Sequence, residues 1–236
     1  MNRLRLFALI SLILGIVIVS SCFNMTANKN SQTSRTPDST TTTAASPSPA
    51  SQTSSSKSGD FSQALNDYNA KNYEKAVTGF QEAVKADPKN STAHYYLGKS
   101  YQALKKDDEA IPAFKEAIRI KPDYAEANFS LGNIYYGRKS YDTSLPYLDQ
   151  AAKTNYKSAE MLMALGDNQR MLKQFNKAIV QYGKVIGFEP ENANAYYALG
   201  LTYIGLNNKI GARQQVRKLD ELDKTLAKKL TDQIGS

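Results

Sequence analysis

From residue 60 to the end of the chain, apolar residues recur at the three- and four-residue spacing of an amphipathic helix. Leu97, Tyr101 and Leu104 follow this period, and Phe114 and Ala117 follow it in the next segment. The pattern predicts an all-α fold of paired helices: 59–71 and 74–86, 91–104 and 108–120, 125–138 and 142–154, 159–172 and 176–188, and 193–206 and 210–222, with a last helix at 225–234.

The helical pattern repeats itself every 34 residues, which is typical of repeat architectures. We call an equivalent position in successive repeats a column. The glycine column contains Gly98, Gly132, Gly166 and Gly200, and the first repeat has Ala64 at this position. A tyrosine column contains Tyr101, Tyr135 and Tyr203, with Gln169 in the fourth repeat. In the second helices a small residue recurs as Ala76, Ala110, Ser144, Ala178 and Ala212, and a large one as Phe80, Phe114, Leu148, Tyr182 and Val216.

These columns resemble the tetratricopeptide repeat (TPR) family, with five repeats over 60–223 and a capping helix at 224–236. The resemblance implies an αα-superhelix, a solenoid of about five helix pairs whose inner groove is lined by the first helix of each pair. A cap is expected because the last repeat would otherwise expose an apolar edge.

When the inward-facing positions of the family are carried over to each repeat, the resemblance implies a partner-binding groove in which an aromatic residue recurs at one position. Such side chains suit the binding of a protein or peptide segment because they bury a large area at low entropic cost. The alternative is that the column packs between neighbouring helices. The groove residues are Phe61, Tyr68, Tyr95, Tyr96, Lys99, Phe129, Asn133, Tyr136, Met163, Asp167, Arg170, Tyr197 and Leu201.

The first 21 residues are typical of a secretory signal peptide. Arg3 and Arg5 precede an apolar run at 6–19, which is shorter than the roughly 20 residues that a membrane span needs. The following segment, Val19 to Cys22, resembles the bacterial lipobox, in which the cysteine accepts the lipid. We therefore expect lipidation at Cys22 and anchoring to a membrane through the N-terminal lipid. The alternative is an uncleaved signal anchor.

Residues 22–59 are predicted to form a disordered tether after the lipidated cysteine. Half of the residues from 24 to 59 are serine or threonine, and between Phe23 and Phe61 there is no aromatic residue. Such a segment cannot bury enough apolar area to offset its ordering entropy.

Composition gives no support to catalysis or to cofactor binding. One cysteine and one histidine, His94, exclude a metal centre built from several such ligands, so we expect neither metal nor cofactor. The mature domain would also lack a thiol nucleophile and a glycine-rich phosphate loop. The net charge of +8 lies partly outside the repeats, so we expect no nucleic-acid partner, and no feature indicates a small-molecule substrate.

The expected function is therefore an interaction scaffold or assembly factor in the bacterial cell envelope. It would be lipid-anchored on the extracytoplasmic side of a membrane, with a protein segment as its partner.

Lipidation is testable at Cys22. The Cys22→Ala variant should accumulate as an uncleaved precursor without acyl groups, because the thiol that accepts the lipid is missing. Mass spectrometry of the purified N-terminus measures this. A wild-type mature N-terminus at another residue, with no acyl mass, would contradict the lipoprotein interpretation.

Overall fold

The computed structural model describes the backbone of residues 56–235 and the side chains of residues 61–235. Over this part of the chain it consists of helices joined by short turns. The helices are α1 Ser56–Asn69, α2 Tyr73–Ala86, α3 Ser91–Ala103, α4 Asp107–Ile120, α5 Ala125–Gly137, α6 Tyr141–Thr154, α7 Ala159–Met171, α8 Phe175–Phe188, α9 Ala193–Gly205, α10 Lys209–Leu222 and α11 Lys224–Gly235. The predicted all-α solenoid of five helix pairs with a final helix is confirmed.

The predicted helix ends agree with the structure to within a few residues. The largest difference is at α1, which begins at Ser56 and so includes the last residues of the predicted tether. A helix held by its packed residues can extend by one turn at little cost. The predicted signal peptide, Cys22 and the tether up to residue 55 lie outside the described residues. Within the described residues, no helix is both long and apolar enough to cross a membrane.

The turn inside each repeat has the same left-handed geometry. The residue after the C-cap has a φ of 56° to 64° in all five turns, at Lys71, Lys105, Lys139, Lys173 and Asn207. In the second repeat the Lys106 N–H donates to the Tyr101 carbonyl, and the Lys105 N–H donates to the Gln102 carbonyl. These two bonds form a Schellman motif, which ends α3 and reverses the chain into α4.

The two helices of a repeat touch at the glycine column. A Cβ atom at Gly98 would lie 2.7 Å from the Phe114 ring, and one at Gly132 would lie 2.6 Å from Leu148 Cδ2. Both large side chains are fully buried. Ser144, which replaces alanine in the small column, donates its hydroxyl to the Gly132 carbonyl at 2.8 Å. The glycines therefore set how closely the paired helices approach.

In the first and last repeats, different residues form the close contact at the glycine column. In the first repeat Ala64 replaces the glycine, and the glycine lies on the opposite helix: a Cβ at Gly79 would be 2.7 Å from that of Ala64. In the last repeat, the side chain over Gly200 is Leu230 of α11 rather than Val216. The capping helix therefore completes the fifth repeat.

Polar residues close the array at both ends. At one position of the second helices, the first four repeats have a half-buried apolar residue that packs in the core: Val77, Ile111, Leu145 and Ile179. The equivalent residue of α10 is the exposed Arg213. The buried leucine column of α3, α5, α7 and α9 becomes the exposed Gln63 in α1. At these two positions of the described chain, a polar side chain therefore replaces the apolar one that packs between repeats elsewhere.

Leucine at Gly132 should destabilise the domain by about 2–3 kcal/mol, because its side chain must displace the buried Leu148. Gly183→Leu is the matched control. A Cβ there would meet no atom within 4 Å, so the better helix propensity of leucine should add about 0.5–1 kcal/mol. Urea unfolding measures both changes, and equal stabilities of the two variants would show that the helices do not touch at Gly132.

Candidate functional site

The first helices of the second, third and fourth repeats form two adjoining cavities. The first has a volume of about 310 Å³ and the second about 280 Å³. Phe129, Asn133 and Glu160 line both, so the two cavities form one surface, which we name the central groove. Its other lining residues are Tyr95, Lys99, Gln102, Glu126, Ser130, Tyr136, Met161, Met163, Ala164 and Asp167.

Seven of the residues predicted from the sequence come together in the central groove. They are Tyr95, Lys99, Phe129, Asn133, Tyr136, Met163 and Asp167. Phe129 and Met163 are half-buried and pack on the core formed by residues of α5 to α9, so each presents only part of its surface to the cavities. Asn133 is also half-buried and lies between the two cavities.

The predicted residues of the first repeat and Tyr96 pack together in an aromatic cluster. The Tyr96 ring lies 6.4 Å from Phe61, 5.5 Å from Tyr68 and 5.6 Å from Phe80. Tyr68 also contacts Tyr73, and its burial raises its pKa. For these residues the structure favours the alternative of packing between helices.

In the fifth repeat the capping helix takes part in the packing. Tyr197 and Leu201 are half-buried and pack on the core that includes Ala227 and Leu230 of α11. They line neither cavity of the central groove. The two cavities that define the central groove therefore lie in the three middle repeats.

Tyr95 both packs between helices and lines the groove. Its ring packs 5.0 Å from Tyr124 and 6.0 Å from Phe114, while it also lines the first cavity. Burial and the nearby Tyr124 raise the pKa of its hydroxyl. Tyr95 is thus a neutral, firmly held wall of the groove.

A buried tyrosine fixes the polar centre of the groove. Tyr182 lies in α8 and is fully buried, and its ring fills the space over Gly166. Its hydroxyl donates to Asp167 Oδ1 at 2.8 Å, and Arg170 Nη2 lies 3.5 Å from the same oxygen. Burial and the Asp167 carboxylate raise the pKa of Tyr182.

The same carboxylate acts on Tyr136, which lines the groove, and on Arg170, which lies beside Asp167 without lining either cavity. Burial and then Asp167 raise the pKa of Tyr136. Burial opposes the charge of Arg170, but its hydrogen bond to Tyr182 and the nearby Asp167 raise its pKa above the usual value. Arg170 therefore places a positive charge beside the Asp167 carboxylate, and Asp167 lines the second cavity.

Two groove residues that were not predicted are the exposed carboxylates Glu126 and Glu160. They occupy the same position in the third and fourth repeats, near the start of α5 and α7. Neither forms an ion pair with a described residue. Each precedes a predicted groove residue, Phe129 or Met163, by three positions, so helical spacing places it on the same face. An acidic residue in the first turn of a helix, however, usually complements the helix dipole.

The fourth repeat also buries polar groups without partners. Asn168 is fully buried, and neither amide atom forms a hydrogen bond within the described residues. Gln169, in the tyrosine column, buries an unpaired Oε1. Thr202, in the same column as Asn168, instead donates to the Ala198 carbonyl at 2.7 Å. The unpaired amide of Asn168 therefore destabilises the fourth repeat relative to the fifth, where the hydroxyl of Thr202 is hydrogen-bonded.

Two further cavities of the described chain lie outside the central groove. One cavity of about 510 Å³ is lined by a single connection, Glu189 to Asn192, and one of about 270 Å³ lies beside the turn at Lys173. Among the described residues, no group of three acidic, histidine or cysteine side chains is placed to hold a metal ion. His94 lies against the turn before α3, with Nε2 3.1 Å from the Pro88 carbonyl oxygen.

Sequence profiles of one repeat family match most of the described region. Profiles described as "Tetratricopeptide repeat" match residues 61–125, 108–155 and 193–226, and one described as "TPR repeat" matches residues 166–207. No curated protein shows significant sequence similarity to the chain.

Solved structures share the fold. YrrB, described as a TPR protein with an unusual peptide-binding site, has a TM-score of 0.69 at 23% identity, over 73% of this chain and 90% of its own. A structure of MamA protein has a TM-score of 0.66 at 24% identity, over 73% of this chain and 94% of its own. At these identities the similarity establishes the fold alone.

The Tyr182–Asp167 hydrogen bond should be measurable as an energetic coupling. In a double-mutant cycle of Tyr182→Phe and Asp167→Ala, the coupling should be about 1–2 kcal/mol, because a buried hydroxyl donates to a charged acceptor. Urea unfolding of the two single variants and the double variant gives this value. Additive losses would show that the hydroxyl does not hold the carboxylate.

Proposed function

The chain belongs to the tetratricopeptide repeat family, and on that premise we propose that it is a membrane-anchored scaffold that holds a segment of another protein in the central groove. The partner-binding part of the proposal rests on the groove. The anchoring part rests on the N-terminal sequence.

The observation that carries the proposal is the continuity of the two cavities across three repeats. Asn133 and Phe129 line both cavities, so a single extended or helical segment can lie along α3, α5 and α7 without interruption. The lining combines half-buried apolar side chains with polar ones that orient a ligand. The peptide-binding site of YrrB, a protein of the same fold, is consistent with this use.

The chemistry of the groove supports binding better than catalysis. Asp167 is already engaged by Tyr182 and Arg170, and Tyr95 and Tyr136 have raised pKa values. Glu126 and Glu160 are exposed and form no ion pair with a described residue. A hydroxyl whose pKa is raised keeps its proton at neutral pH, so neither Tyr95 nor Tyr136 is suited to act as a general base.

The sequence supports anchoring on the extracytoplasmic face of a bacterial membrane. Cys22 is separated by two serines from an apolar run of signal-peptide length and is the only cysteine in the chain. A lipidated N-terminus followed by a polar tether would hold the repeats near the membrane while leaving the groove open to a partner. The protein would then recruit or assemble an envelope component.

Blocking the groove should abolish partner capture while leaving the fold intact. Asn133→Trp places a large side chain where the two cavities meet, so affinity should fall by at least about thirtyfold, the loss typical of a central contact. Pull-down of envelope proteins by tagged protein, followed by mass spectrometry, measures the capture.

The matched control is Thr143→Trp, which adds the same side chain at an exposed position of α6 outside the groove. Circular dichroism should show the same helical content for both variants. Equal capture by the two tryptophan variants would move the partner surface away from the groove.

A further inference from the structure

The central groove is acidic in a chain that is basic as a whole. The full sequence has a net charge of +8, yet Glu126, Glu160 and Asp167 line the two cavities against Lys99 as the single cation. Asp167 is neutralised by Arg170 and bonded by Tyr182. The local excess of negative charge therefore belongs to Glu126 and Glu160.

These two glutamates differ from Asp167 in being available to a ligand. Asp167 is two-thirds buried and has two donors, whereas Glu126 and Glu160 are exposed and unpaired among the described residues. A cationic side chain that approaches Glu126 or Glu160 displaces no existing partner. The new ion pair between the ligand and either glutamate therefore forms without breaking an existing one.

Glu160 lies beside an apolar cavity of side-chain size. The second cavity, of about 280 Å³, is lined by Phe129, Tyr136, Met163 and Ala164 together with Asn133, Glu160 and Asp167. Pockets for whole small molecules usually start at about 300 Å³, so this one suits a single large apolar side chain. A cation next to that side chain in the partner would reach Glu160.

The spacing of the glutamates gives the spacing of the cations. Glu126 and Glu160 lie at equivalent positions of adjacent first helices, and helices in contact are about 8–10 Å apart. An extended chain covers that distance in about three residues, at about 3.3 Å per residue.

We infer that the central groove selects a basic–apolar protein segment, in which a large apolar side chain enters the second cavity and two cationic side chains about three residues apart pair with Glu126 and Glu160. This inference rests on the proposed binding function and names the chemistry of its partner. The carboxylates provide selectivity, and the apolar cavity provides most of the affinity.

The test uses three blocked synthetic peptides and the mature full-length chain. One peptide has a leucine between two arginines three residues apart, and in the others the arginines are replaced by glutamines or by glutamates. Fluorescence anisotropy at low ionic strength measures the affinities. The arginine peptide should bind about five- to tenfold more tightly than the glutamine peptide, and the glutamate peptide more weakly than either.

Charge-neutral variants assign the effect to the two residues. Glu126→Gln with Glu160→Gln should remove the preference for arginine and its salt dependence, while the glutamine peptide binds as before. Glu74→Gln with Glu82→Gln, two exposed carboxylates on α2, is the matched control and should leave the preference intact.

The outcomes separate this inference from the binding function. If arginine and glutamine peptides bind equally and only Asn133→Trp abolishes binding, the groove binds segments without charge selection and the inference is wrong. If Asn133→Trp leaves binding of every peptide unchanged, the groove is not the binding surface and both proposals fail. Self-association lost in Glu126→Gln/Glu160→Gln would instead assign the groove to a second copy of the chain.

Discussion

The close approach of the two helices within each repeat is the contact on which the rest of the molecule depends. At Gly98, Gly132 and Gly166 the helices leave no room for a Cβ atom, and a buried side chain of the second helix fills the space. In the fourth repeat that side chain is Tyr182, and its hydroxyl continues past the glycine to Asp167 in the groove. The contact that holds the repeat together therefore also fixes the polar centre of the proposed binding surface.

The predicted groove residues of the end repeats take part in packing, whereas the two cavities of the central groove lie in the middle repeats. In the first repeat the glycine lies on the opposite helix, and Phe61 and Tyr68 join Tyr96 in an aromatic cluster. In the last repeat α11 supplies Leu230. Each terminal repeat has only one neighbour, so side chains that could face a partner are used to complete the packing. The middle repeats are packed from both sides and can leave Asn133 and Met163 at the surface of the groove.

The repeat, its helices and half of the groove were predictable from the sequence because they depend on local spacing. A glycine every 34 residues predicts the closest contact of each pair, and Phe129 and Asn133 follow from their place in the repeat. The packing of Tyr96 was not predictable, because the sequence pattern of an inward-facing aromatic residue is the same whether it binds a ligand or packs between helices. Glu126 and Glu160 lie three residues before Phe129 and Met163 on the same helix face, but this spacing does not distinguish a groove residue from one that complements the helix dipole. The contact of Leu230 with α9 depends on the path of α11. The N-terminal segment remains a prediction.

Hydrogen–deuterium exchange of the protein with and without its captured partner tests the central claim most directly. If a protein segment lies in the central groove, added protection should concentrate in α3, α5 and α7, whose lining residues run from Tyr95 to Asp167. The second helices on the other side of each repeat and the capping helix α11 should change little. Protection confined to α10 and α11, with the three groove helices unchanged, would contradict the account.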